Sequence, residues 1–243
     1  YEQFGSGLVF RTYENKGLGV DNAMDGVRVK YNILNSIDIK SFIGKSRTYL
    51  EYSDGIIRGV DFETNLFELL ALENSTNLIL GSSFVSRFQK DNNPKFNLPQ
   101  NVGVYGLRSN LISGNFNYYL EYVHKYNDPA GSIADNSNNY ASGNAIKTSL
   151  TYFQKGLGFS FDAHRVDNME FRSERQQSKE YIINYIPTLS KQHSDTLLAF
   201  YPCATQSNGE IGFQSDLYYK FDRGTIFGGK YGTKININYS RVL

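Results

Sequence analysis

Apolar residues fall on every second position in long stretches of this chain. In Val27-Arg28-Val29-Lys30-Tyr31-Asn32-Ile33 the alternate residues are all charged or amide, and such a period places one set of side chains on each face of a β-strand. The pattern returns in Phe116, Tyr118, Leu120 and Tyr122 against Asn115, Asn117, Tyr119 and Glu121. It recurs in Leu157, Phe159, Phe161 and Ala163 against Gly158, Ser160, Asp162 and His164, and most strongly from Ile211 to Tyr239. Only Asn65 to Leu72 also accommodates a helical period, as a turn or two.

Short turn signals fall at Leu34-Asn35-Ser36, Glu73-Asn74-Ser75, Ser113-Gly114, Lys155-Gly156, Lys191 to Asp195 and Asp222-Arg223-Gly224. Longer polar connections at 15–25, 46–55, 89–100, 128–144 and 166–178, with a smaller one around Ser207-Asn208-Gly209, are expected to alternate with them. This division gives about 13 strands, or roughly 19 residues per strand and connection, against turn signals about every 8–12 residues in sandwich domains. Long strands with short turns at one end and polar loops at the other predict an all-β, up-and-down antiparallel transmembrane β-barrel of about 12–14 strands. Residues 1–243 form a single domain on this reading, cut at both ends, because an odd strand count and a terminus in mid-alternation do not suit a complete barrel. The first strand is expected to run from about Gly7 to Glu14, with Lys16 to Gly26 as its external loop.

Composition agrees with two-faced strands: 19 Tyr and 17 Phe occur with no Trp, yet mean hydropathy is negative. No stretch approaches the roughly 20 apolar residues that a membrane helix requires. Tyr118, Tyr119, Tyr152, Phe153, Tyr218, Tyr219 and Tyr239 are expected in interfacial girdles, where an amphipathic ring suits headgroup depth. With 25 Lys+Arg against 24 Asp+Glu, no broad positive field invites nucleic acid. The single Cys203 excludes an intramolecular disulfide framework and reads as a small packing residue.

Two blocks, "YEQFGSGLVFRTYENKGLGVDNAMDGVRVKY" from Tyr1 to Tyr31 and "IGKSRTYLEYSDGIIRGVDFE" from Ile43 to Glu63, resemble a family of uncharacterised outer-membrane β-barrel proteins from the Bacteroidota. That resemblance implies the outer membrane of a Gram-negative bacterium and a barrel that continues beyond residue 243. It implies no activity and carries over no functional residues.

Candidate chemistry is sparse. Gly5-Ser6-Gly7 has two glycines at dinucleotide-loop spacing, but Phe10 stands where the third should fall, and no strand–loop–helix unit surrounds it. Both glycines read instead as small residues entering a strand. Glu14, Asp21 and Asn22 form a candidate loop cluster beside Arg11 and Tyr13. Asp61 and Glu63 share one strand face, where a carboxylate pair for acid–base work competes with a lumen salt network. The lumen-facing polar set expected for a barrel is Arg11, Arg28, Lys30, Asp38, Lys40, Arg58, Asp61, Glu63, Asp162, Lys230 and Lys234. His124, His164 and His193 lack metal-ligand spacing, so no cofactor, metal or catalytic set is expected. The sequence thus points to a non-enzymatic barrel acting as pore, transporter or receptor. A structural or partner-binding barrel subunit of an outer-membrane secretion, assembly or uptake complex is the alternative, and a soluble glycan-binding β-domain is the third. Expected partners are outer-membrane lipid and other complex subunits.

Overall fold

A computed structural model of the chain describes residues 1–15, 20–33, 36–48, 51–71, 75–91, 97–128, 140–175, 181–189 and 205–243. Four two-residue strands come first: β1 (Gln3–Phe4), β2 (Phe10–Arg11), β3 (Glu14–Asn15) and β4 (Val20–Asp21). Ten long strands follow as β5 (Met24–Ile33), β6 (Ile37–Thr48), β7 (Glu51–Asn65), β8 (Thr76–Phe88), β9 (Asn101–Ser113), β10 (Phe116–Asp128), β11 (Ala141–Gln154), β12 (Leu157–Asp167), β13 (Gly209–Phe221) and β14 (Thr233–Val242). A single turn of helix, α1 (Leu66–Leu69), precedes β8 and occupies the stretch whose period was ambiguous.

The ten long strands make one antiparallel up-and-down sheet in chain order from β5 to β14. The protein is therefore all-β. Among the described residues β5 and β14 do not pair, so the sheet is open and no closed barrel forms. Hairpins β9–β10 and β11–β12 turn at Gly114 and Gly156, whose positive φ of 55° and 84° glycine adopts without penalty.

Three sequence expectations are corrected. The loop expected at 46–55 is almost wholly strand, since β6 runs to Thr48 and β7 starts at Glu51. Long and short connections do not alternate strictly, because the link from Phe221 to Thr233 joins β13 to β14 at the end that carries the two-residue turns. No strand runs from Gly7 to Glu14. Instead β1 and β2 form a small hairpin, Phe4 opposite Phe10, around a turn in which Gly5 and Gly7 take positive φ.

That hairpin lies on one face of the large sheet and supplies its core. Phe4, Leu8, Val9 and Phe10 are fully buried, packed with Ile57, Val85, Val104 and Val123 from the sheet and Met169, Phe171 and Ile183 from the connection after β12. Burying each of these large side chains contributes about 2 kcal/mol. Strand glycines on this face make room for the cover: a methyl at Gly106 would lie 2.6 Å from Val9, and one at Gly59 would lie 3.0 Å from Phe4. Methyls at Gly55 and Gly143 would overlap the backbone carbonyl oxygens of Ser173 and Asn168. Glycine in a strand interior here marks close approach of another backbone.

The opposite face carries the other half of the period. Val60, Phe84, Leu107, Tyr122, Ile146 and Ile211 lie there by register, each more than a third exposed.

Candidate functional site

Register brings one residue from each successive strand into a row across the covered face. Asn32, Asp38, Glu63, Gly81, Arg108, Glu121, Lys147 and His164 follow from β5 to β12, each opposite the next. Four of the middle positions carry charges, and Arg108–Glu121 and Glu121–Lys147 are opposite-sign cross-strand neighbours, an arrangement that stabilises a sheet. At Gly81 the missing side chain leaves a notch filled by the Arg108 guanidinium, whose Cζ would be 2.5 Å from a methyl there. Through that notch Arg108 reaches Asp61 (Nη1–Oδ1 2.8 Å, Nη2–Oδ2 3.1 Å), Ser83 Oγ at 2.8 Å and Glu63 Oε2 at 2.8 Å.

Glu121 faces the cover. Its carboxylate accepts hydrogen bonds from the Ser6 backbone N–H at 3.2 Å, from the Ser6 hydroxyl, and from the Tyr119 hydroxyl at 2.9 Å. Gly5-Ser6-Gly7 is therefore an anion cradle of a kind, and its anion is a carboxylate of this same chain. The reading of Gly5 and Gly7 as strand-entry residues gives way to this turn, because the run Leu8-Val9-Phe10 is buried on all sides rather than on alternate ones.

Burial grades along the strands. Toward the ends that meet the longest described connections the covered face is a closed core containing its own ion pairs. Arg87 binds Asp128 at 2.8 Å and the Arg172 carbonyl at 3.0 Å, Lys125 donates to the Glu170 carbonyl at 2.8 Å, and His164 Nε2 lies 2.7 Å from Glu210. Toward the short-turn ends the same face opens into a cleft of about 400 Å³ lined by Ser6, Glu63, Arg108, Asn110, Asn117, Tyr119, Lys147 and Ser149. Among the described residues the buried Asn110 Oδ1 there has no hydrogen-bond partner, and the Lys147 ammonium sits 5.9 Å from the Tyr119 ring. Amides, hydroxyls and one ammonium can orient a polar ligand.

Of the polar residues singled out from the sequence, Arg28, Lys30, Asp38, Lys40, Asp61, Glu63, Asp162 and Lys234 lie on the covered face by register. Glu2 ties Arg28 (2.9 Å) and Lys30 (3.2 Å) to the amino-terminal segment. Burial raises the Glu2 pKa, and the hydrogen bonds from Lys30 and Arg28 outweigh it and hold the carboxyl below its ordinary value. Lys40 stands 4.0 Å from Asp61, and Asp38 accepts from Asn32 at 2.9 Å. Arg58 is corrected: it lies three residues from Asp61, hence on the opposite face with Val60 and Phe62. Lys230 is exposed in the link between β13 and β14, and Arg11 stacks on the Tyr185 ring at 4.1 Å.

The residues of the loop cluster are tied into the fold. Asn22, fully buried, accepts the Tyr13 N–H at 2.7 Å and donates to the Ile182 carbonyl at 2.8 Å, whereas Asp21 binds Arg47 at 2.5 Å. Glu14 pairs with Asp21 in the β3–β4 ladder. Cys203 and His193 lie outside the described residues. Among the described residues no group of three or more His, Cys, Asp or Glu side chains could hold a metal ion.

Arg108, Glu121, Lys147, Arg87, Asp128, Lys125 and Glu210 were not among the sequence candidates. The in-strand glycines at 55, 59, 81, 106 and 143 were the available signal, because each marks where something packs on that face.

These features define a class: an all-β protein built on one antiparallel up-and-down sheet, with one face covered by its own amino-terminal segment. The whole chain, residues 1–243, matches a family of unknown function (DUF6029), and it belongs to that family. No curated protein matches it.

Proposed function

We propose that the chain is the wall and plug of a bacterial outer-membrane β-barrel of receptor or transporter type. The observation that carries this reading is the pairing of an exposed apolar face across ten strands with a charged, segment-covered opposite face. A soluble protein rarely exposes an apolar patch beyond about 300–600 Å², whereas a transmembrane barrel presents an apolar band about 25 Å tall between aromatic girdles. On β10, Tyr118 and Tyr126 lie on the exposed face eight residues apart, about 27 Å along a strand. Tyr126 clusters with His124 and Tyr105, and Phe116 with Tyr152 near the other end. Of the aromatic residues assigned to girdles, Tyr118, Tyr152, Tyr219 and Tyr239 share this face, while Tyr119, Phe153 and Tyr218 lie on the covered one.

The buried core at one end argues for an obstructed interior, and the polar cleft at the other for a ligand chamber in place of an open pore. Since the chain has no Trp, one introduced indole reports its own surroundings. Leu107→Trp on the exposed face is expected to be quenched by brominated lipid after reconstitution into vesicles, and Ser149→Trp in the cleft is not. Equal quenching at both sites, or a chain that folds as a monomer in detergent-free buffer, would overturn the proposal. In planar bilayers the reconstituted chain is expected to give no steady conductance steps, and open-pore conductance would remove the plugged reading.

A further inference from the structure

On the exposed face of β10 to β14 lies a second cavity, of about 550 Å³. Its floor is low because Thr148 and Ala163 put small side chains between larger apolar ones from neighbouring strands, among them Leu120, Phe161, Ile211 and Phe213. Two cations line it as well. Arg165 stands on β12 opposite Ile211, and Arg241 on β14 opposite Phe213, so their strands flank β13 and the two guanidiniums border one end of the groove. Both are exposed, and among the described residues neither has an ion pair or hydrogen-bond partner.

An apolar trough with two unpaired guanidiniums at one end matches an amphiphile with an apolar tail and an anionic head. Guanidinium binds phosphate oxygens through paired N–H donors, and such a pair gains strength where lipid excludes water. From this juxtaposition we infer that the groove is a specific site for a lipid whose phosphate head group is net anionic, with an acyl chain along Leu120, Phe161 and Phe213 and the phosphate between Arg165 and Arg241. The inference rests on the membrane reading and sharpens it from general lipid contact to one site with a head-group preference.

The test uses the full chain reconstituted in neutral phosphatidylcholine vesicles, titrated with a fluorescent phosphatidic acid or with a neutral diacylglycerol of the same chains. Phosphatidic acid is expected to bind saturably and about tenfold more tightly than the diacylglycerol, the magnitude of one strong charge-assisted contact. Arg165→Gln with Arg241→Gln is expected to abolish that preference, and Ala163→Phe, which fills the groove, is expected to weaken both lipids. Inorganic phosphate alone is expected not to compete at millimolar concentration. Equal binding of the two lipids, an unchanged preference in the double Gln variant, or full competition by inorganic phosphate would overturn the inference. A change of oligomeric mass in the double variant with lipid binding unaltered would assign the groove to a second copy of the chain and would also overturn it. Failure of the membrane reading is read separately, as a chain that does not enter the vesicles at all.

Discussion

Arg108→Met tests whether the charged row on the covered face holds the sheet and its cover together. The guanidinium is 6% exposed and Asp61 is 2% exposed, so each neutralises the other away from water. Methionine keeps much of the volume and removes the charge, leaving Asp61 with Ser83 Oγ at 2.6 Å and Lys40 at 4.0 Å. Removing one partner of a buried pair costs about 3–5 kcal/mol. Because Ser83 and Lys40 remain, the expected loss is about 3 kcal/mol, at the low end of that range. Glu63→Gln, in contrast, touches a carboxylate that is 42% exposed, and is expected to cost under about 1 kcal/mol. In the double variant Asp61→Asn with Arg108→Met, neither charge is stranded, so the cost is expected to fall short of the two single costs added by about 2 kcal/mol. Equilibrium urea unfolding of the reconstituted chain, followed by far-ultraviolet circular dichroism, measures the unchanged chain, the three single variants Arg108→Met, Asp61→Asn and Glu63→Gln, and the double variant. A loss under about 1 kcal/mol for Arg108→Met, or additive costs in the double variant, would refute the reasoning.

Two further outcomes follow from the cover. Gly55→Ala and Gly143→Ala overlap the carbonyl oxygens of Ser173 and Asn168, so each is expected to speed amide exchange in 168–175 while leaving β9 and β10 protected, read by hydrogen-exchange mass spectrometry; unchanged exchange there would contradict the packing. Because folding lowers the Glu2 pKa, the stabilisation it gives is complete above its ordinary value of 4.5 and is lost as pH falls through the lower folded value. Proteolytic release of the amino-terminal segment is therefore expected to rise as pH drops below that point, and to lose this pH dependence in Arg28→Gln with Lys30→Gln.

The sheet was legible wherever one face is apolar and the other polar. Strands β5, β10, β12, β13 and β14 show that contrast in the sequence, and their hairpin partners follow it in register. It fades where both faces are apolar. In β9, Val102 and Val104 point into the core while Tyr105 and Leu107 point out, so the local pattern does not reveal that a segment covers one side. The amino-terminal hairpin was missed for the same reason, since Leu8, Val9 and Phe10 are buried together and have no exposed face to set a period. Arg58 was separable by parity alone, because an odd spacing from Asp61 and Glu63 puts it across the sheet. The ion pairs Arg87–Asp128 and Arg108–Asp61 join residues more than 40 positions apart, and only the pairing register brings them together.

The covered face divides into a closed core, which holds its own buried ion pairs, and a polar cleft at the short-turn ends. A row of like-sized apolar residues along the whole strand length would hold the cover, but it would leave no polar surface at the short-turn ends. A row of charges throughout would leave the backbone of the cover without an apolar partner and strand ions away from water. Here Phe4, Val9 and Phe10 pack with Ile57, Val85 and Val104, while Ser6, at the tip of the hairpin turn, meets Glu121 two register rows beyond Val104. The turn is thus fixed by the core on one side and by a carboxylate on the other, and it forms the boundary at which the closed core ends and the polar cleft begins. Ser6, Arg108 and Lys147 line that cleft, so the Ser6–Glu121 contact stands where the amino-terminal segment borders it.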